Sequence, residues 1–242
     1  MKSRIIYIGF DPRPSEAVAY AVARTSIRRH LSQPIRIVGL VLDDLRNRGL
    51  YWRKHRKIQT KTGWQLWDEV SDAPMATEFA NSRFLVPRLA KTGWALFLDA
   101  DMLARADLRL LFDLGDESKA VQVVQHDYQP RGGRKMDGQM QTRYPRKNWS
   151  SLMLFNCDHP ANRRLTIEAV NETPGRDLHR FCWLQDDEIG SLPAEWNWLA
   201  GHSSRKIEPA LVHYTEGVPP LPGYENAPYA DEWRGELASW AR

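Results

Sequence analysis

The 242-residue sequence predicts an α/β protein, a single domain built on an open mixed sheet flanked by helices. Three observations carry this. Short apolar runs alternate with a helical pattern: "RIIYIGF" (Arg4 to Phe10) and "IRIVGLVL" (Ile35 to Leu42) flank "SEAVAYAVARTSIRRHL". No internal repeat, low-complexity stretch or long linker divides the chain. The balance of 42% hydrophobic and 26% charged residues is that of a globular core, and no apolar run approaches the roughly 20 residues that cross a bilayer.

Each element follows from its residues. "RIIYIGF" is a buried strand that "DPRP" ends in a turn. The next stretch is helical: Val18, Ala21, Val22 and Thr25 share a face, Ser15 is the expected N-cap, and Arg28, Arg29 and His30 suit the negative end of the dipole. "IRIVGLVL" is a second strand, so the first crossover is parallel and right-handed. The basic, aromatic segment 46–61 shows no periodicity and reads as an exposed loop over the sheet edge. "ATEFANSRFLVPRLA" (Ala76 to Ala90) is expected to be helical, with Pro87 ending or kinking it. "WALFL" is a third strand, "DLRLLFDL" a short helix, "AVQVVQHDY" a fourth strand and "SLMLFN" a fifth. "ANRRLTIEAVN" reads as a helix and "ALVHYT" (Ala210 to Thr215) as a late strand before a proline-rich tail.

The stretch "WALFLDADML" holds the chemistry. Five apolar residues run into Asp99, and Asp101 follows. On a tight turn at a strand end both carboxylates reach one point beyond the sheet. There they repel each other unless a hard divalent cation joins them. The plainer alternative has one carboxylate capping the "DLRLLF" helix and the other solvated. Open α/β sheets bind ligands at this carboxyl edge.

Several segments, in order, resemble the nucleotide-sugar glycosyltransferases of the GT-A fold, above all family 8 and a group of uncharacterised bacterial relatives. "YIGFDPRPSEAVAYAVARTSI" is similar to their first strand and helix at the nucleoside, which implies a role there for Asp11. "FANSRFLVPRLA" resembles the helix whose arginine, here Arg83, approaches the nucleotide and the metal aspartates. "WALFLDADML" resembles the D-x-D strand. "NWSSLMLFN" resembles the segment at the donor sugar and points to Asn148 and Ser150. "LQDDEIG" resembles the D-Q-D motif, with Asp186 or Asp187 as the acid at the reacting sugar. "LVHYTEG" resembles the late strand end, which makes His213 the third metal ligand and sets Gly217 at the diphosphate.

The resemblance implies a metal-dependent glycosyltransferase that moves a sugar from a nucleoside-diphosphate sugar, with UDP as the expected nucleotide, to a glycan or other hydroxyl acceptor. It implies Mn²⁺ (or Mg²⁺) held by Asp99, Asp101 and His213, since imidazole suits a transition metal. The nucleotide half is about residues 1–103 and the donor-sugar and acceptor half about 104–242. Departures stand beside these matches. Trp149 occupies an asparagine position, Asp187 and Glu188 replace Gln and Asp, and the lysine that contacts the diphosphate is missing. Lys135, Arg143, Arg146 or Lys147 in the basic loop Arg131 to Trp149 could supply its charge. Family 8 implies retention of anomeric configuration, and the altered motifs leave inversion open. Trp196 and Trp198 in "EWNWL" suit core packing better than a sugar platform.

Rival classes are a GT-A-like domain that binds nucleotide or glycan without turnover, and a D-x-D phosphatase. The phosphatase motif closes a first strand, whereas Asp99 follows at least two. The formal charge of +4 tolerates anionic partners. Without a recognised binding module, nucleic acid is not an expected one. A glycan or lipid-linked acceptor, with the 46–61 segment touching an anionic membrane, fits a cytoplasmic protein at the inner face of the membrane. The N-terminus reads as a core strand and lacks a cleavage site. Cys157 and Cys182 are expected to be buried thiols.

Overall fold

A computed structural model describes residues 2–60, 63–127, 133–134, 140–141, 146 and 148–241. Six strands form the central sheet in the order Ile189–Ser191, Val121–Val123, Leu152–Asn156, Trp94–Leu98, Arg4–Gly9, Arg36–Leu40. Leu152–Asn156 runs antiparallel to both neighbours, and the other pairings are parallel. The carboxyl ends of Arg4–Gly9, Trp94–Leu98 and Val121–Val123 therefore share one edge. This is the expected mixed open sheet.

Burial on both faces explains the unbroken apolar runs. Trp94, Leu96 and Leu98 join Ile6, Ile8, Leu152 and Leu154 in one core. Ala95 and Phe97, pointing the other way, join Tyr7, Met153 and Phe155 in a second. Side-chain alternation thus divides each strand between two layers.

The first helix, Pro14–His30, begins without the expected Ser15 cap. Arg13 holds the N-cap position with no side-chain cap bond, and Pro14 stands at the start of the helix, where an N–H would have no partner. The buried face is small, with Ala19, Val22, Ala23 and Ser26, so the helix lies close to its neighbours. Ser26 Oγ takes the Ala104 N–H at 3.1 Å, fixing the helix to the strand that follows the two aspartates.

Several expectations need correcting. Within the segment 46–61, read as a loop, residues 48–54 are irregular but His55–Thr60 is a strand, the first of an antiparallel ladder with Gly63–Asp68 and Ala73–Met75. Its first strand carries polar residues on both faces, so no two-residue alternation marks it. Arg53 anchors the ladder. It is 1% exposed, grips Asp68 through two nitrogens at 2.7 and 2.5 Å, and donates to the carbonyls of Val170 and Thr173.

The expected helix over 76–90 is a 3₁₀ turn, Ser82–Leu85, and a short α-helix, Val86–Ala90. Pro87 opens that helix instead of ending it. "ANRRLTIEAVN" divides at Leu165, and the α-helix Ile167–Glu172 starts from a Thr166 side-chain cap. The proline-rich tail leads into an unforeseen helix, Ala230–Trp240, whose Trp233 packs with Ala19 and Val22. Trp196 and Trp198 are core residues. Both cysteines are free thiols, but Cys182 is exposed, not buried. Among the described residues no helix is long and apolar enough to cross a membrane.

Candidate metal centre

Chain direction brings three ligands together. The strand Trp94–Leu98 stops at Leu98, Asp99 N–H reaches Ser151 O at 2.9 Å, and residues 100–101 turn. Met102–Ala104 then pairs antiparallel with Leu211–His213, setting His213 opposite Met102. Tyr214 N–H donates to Asp101 O at 2.9 Å, locking the register. One ligand atom from each of Asp99, Asp101 and His213 lies within 4.8 Å of the others.

The donors around this group fit a divalent ion. Asp99 Oδ1 lies 2.8 Å from Arg83 Nη1, and Asp101 Oδ1 lies 3.4 Å from His213 Nε2. Arg83 is 5% exposed, donates to Ser150 O at 2.8 Å and lies over the Phe97 and Phe79 rings. Its charge offsets part of the aspartate repulsion.

The tautomer of His213 follows from a chain of bonds. Ser151 Oγ donates to Asn148 O at 2.6 Å, so it accepts from Asn197 Nδ2 at 2.9 Å. Asn197 Oδ1 then faces His213 Nδ1 at 3.0 Å and must accept from it. Nε2 is left with the lone pair, on the side of Asp101. A neutral imidazole with its second nitrogen held by an amide oxygen is the usual preparation of a metal ligand. Asn197 is fully buried and was passed over in the sequence, where attention fell on its tryptophan neighbours. A lone polar residue between two core tryptophans was the signal. Asn197→Leu should weaken Mn²⁺ binding about 10- to 100-fold, the usual effect of an outer-shell partner. Asn197→Asp, which keeps an acceptor for Nδ1, should lose less. Titration calorimetry with Mn²⁺ reads both.

The other expected site residues separate into groups. Asn148 and Ser150 lie beside the centre, both buried. Asn148 adopts φ 64°, and its buried Nδ2 has no hydrogen-bond partner. Ser150 Oγ meets His179 Nδ1 at 2.6 Å. Gly217 shares a cleft with Asp101, Ser15, Glu16 and Glu216. Lys135, with Arg143 and Lys147, lies outside the described residues.

Asp11 is at the expected strand end but fully buried. Its oxygens accept from Arg13 Nε, Nη2 and N and from Glu78 N. Burial alone raises its pKa; the Arg13 bonds and charge and the two backbone N–H groups outweigh this and hold the carboxyl below its ordinary value of 3.8. Its ionised form adds stability above about pH 4, and that contribution fades as pH falls through the lower folded value. Asp11→Asn should therefore melt below the wild type at pH 7, and the gap should narrow as pH falls below the ordinary carboxylate value, as read by circular dichroism.

Asp186 and Asp187 are not in the three-ligand group. They precede no helix. Their 3₁₀ turn feeds the amino end of Ile189–Ser191, and Glu188 O takes the Ala120 N–H, at the sheet edge away from Asp99. Both are exposed. Asp186 pairs with Arg146, while Asp187 O accepts from Lys119 Nζ at 2.8 Å. Trp149, the departure from the family pattern, donates Nε1–H to His126 O at 3.0 Å and lies under Arg146.

No family model matches the chain. Protein CDI of Arabidopsis thaliana is 44% identical over 242 residues, spanning 97% of this chain and 86% of the plant protein. The chain belongs to the Protein CDI family. This plant relative gives a bacterial placement no support. Among solved structures the chain is similar to the bifunctional glycosyltransferase WbbM, at TM-score 0.65 and 17% identity over 98% of this chain and 50% of that one. GlyE of Streptococcus pneumoniae TIGR4 gives 0.60 and 12% over 99% and 61%. The galactosyltransferase LgtC, solved with donor and acceptor sugar analogues, gives 0.57 and 13% over 98% and 95%. The chain thus spans half of WbbM and 61% of GlyE. The shared fold is the GT-A glycosyltransferase fold.

Proposed function

We propose that this chain is a metal-dependent glycosyltransferase. It moves a sugar from a nucleoside-diphosphate sugar, UDP-linked in the first reading, to a hydroxyl of a glycan or lipid-linked acceptor. The single observation that carries the proposal is the meeting of Asp99, Asp101 and His213 at the carboxyl edge of this sheet. Residues 1–103 serve the nucleotide and 104–242 the sugar and acceptor.

Asp99, Asp101 and the lone pair of His213 Nε2 would hold Mn²⁺ or Mg²⁺. When bound, the ion supplies Lewis-acid stabilisation of the departing diphosphate. Arg83 holds Asp99 in place and adds positive charge beside the group. Asn148 and Ser150 border the donor sugar. The cleft beside Asp101 presents Glu16 and Glu216 and no basic side chain. Charge on the diphosphate is then met chiefly by the ion, with Lys135 in the basic loop as a further proposed contact. Strict metal dependence follows from this.

A thermal-shift panel of UDP, GDP, CDP and their sugars, each with Mn²⁺ and with EDTA, tests the reading. One nucleotide should raise the melting temperature only with metal. No shift with any of them overturns the assignment. Donor hydrolysis that disappears in Asp101→Ala would separate an enzyme from a binding domain, and NMR of the product anomer would distinguish retention from inversion.

A further inference from the structure

His126 is a half-buried residue that the proposed chemistry does not use. It follows Val121–Val123, whose carboxyl end lies on the metal edge of the sheet. Its Nε2 is buried and has no hydrogen-bond partner among the described residues, an arrangement that is costly unless a ligand satisfies it. One contact fixes where it sits: His126 O accepts the Trp149 indole N–H at 3.0 Å, which ties it to the residue following Asn148.

Asn148 offers the second unmet atom, its buried Nδ2, from the same stretch of chain. Trp149 connects the two residues: it adjoins Asn148 in sequence and holds His126 through its indole. The substitution of tryptophan at this position then has a physical role, since the indole sets the His126 backbone. An imidazole nitrogen and an amide N–H, both shielded from water, suit the hydroxyl groups of a pyranose. An imidazole nitrogen can donate or accept, as a hydroxyl can, whereas a phosphate oxygen offers only an acceptor.

We infer that His126, placed by Trp149, is a specificity-determining residue that hydrogen-bonds through Nε2 to a hydroxyl of the donor's sugar, in a subsite shared with Asn148. The inference rests on the glycosyltransferase reading of the same centre. It adds a contact to the sugar and none to the nucleotide.

The test compares nucleoside diphosphate with its sugar conjugate. Titration calorimetry with Mn²⁺ measures the affinity of wild type, His126→Ala, His126→Gln and Trp149→Phe for UDP and for UDP-glucose and UDP-galactose, or for the corresponding pair on whichever base the wild type binds. His126→Ala should bind the diphosphate as the wild type does and the sugar nucleotide about 10-fold more weakly. His126→Gln, which keeps a hydrogen-bonding group at similar reach, should recover part of that loss. Trp149→Phe, which keeps the ring and loses the indole N–H, should weaken the sugar nucleotide alone. Equal losses for both ligands, or no loss for either, would overturn the role of His126 while leaving the metal centre intact. A wild type that binds neither ligand with metal would overturn the glycosyltransferase reading and this inference with it.

Discussion

Asp101→Ala should abolish metal-dependent nucleotide binding while leaving the protein folded. Losing an outer-shell partner of a metal ligand costs about 10- to 100-fold in affinity. Asp101 is proposed as a ligand itself, so its removal should cost at least about 100-fold, and turnover of the donor should fall below detection. The fold should tolerate the change. Asp101 is a half-buried carboxylate near Asp99, and its removal relieves repulsion between them. Its carbonyl, which accepts the Tyr214 N–H, belongs to the backbone and stays. A melting temperature within about 3 °C of wild type, the size of a 1 kcal/mol change in a chain of this length, is the expected result. The metal-induced shift with nucleotide should be gone.

The largest loss of stability is expected far from the metal, at Arg53. Surface ion pairs such as Lys2–Glu117 contribute about 0–1 kcal/mol because water screens them. The Arg53–Asp68 pair is different: its side chains are 1% and 3% exposed. Asp68→Ala would leave the guanidinium buried without its counter-ion, a loss of about 3–5 kcal/mol. With about 2–4 °C per kcal/mol, the melting temperature should fall by roughly 6–20 °C. Arg53→Met with Asp68→Leu removes both charges and should recover much of this. Calorimetric melting of the two variants beside the wild type checks it, and equal melting of Asp68→Ala and wild type would show that the pair contributes little.

The same physical difference separates what was legible in the sequence from what was not. Strands buried on both faces leave continuous apolar runs, so Arg4–Gly9, Trp94–Leu98 and Leu152–Asn156 could be read directly. Ligands at the ends of such runs stand out against the apolar background, as Asp99, Asp101 and His213 do. The hairpin over 55–68 was illegible because its anchor is a tertiary one: Arg53 pairs with Asp68 at the end of the second strand and is itself held by Asn171 from a distant part of the chain. The acidic run Asp186–Glu188 misleads for a related reason: three successive acids suit a helix N-terminus, but pairing with Val121–Val123 draws the following residues into a strand.

The support around the metal group was hidden in another way. Asn197 and Ser151 act only through the bonds they make across the fold to His213 and Asn148, so their letters alone say little. Asp11 was visible at its strand end, but the four donors that occupy it come from the backbone and from Arg13. Residue type located the centre; tertiary contacts assigned its tautomer and its neighbours.

Electron paramagnetic resonance of Mn²⁺ tests the central claim most directly. Free Mn²⁺ gives a sharp six-line signal that weakens when the ion is bound. Titrating wild-type protein into Mn²⁺ with a nucleoside diphosphate should remove one equivalent of that signal per chain, and Asp101→Ala should leave it in place. Loss of signal to the same extent in both proteins, or in neither, would contradict a metal centre at Asp99, Asp101 and His213.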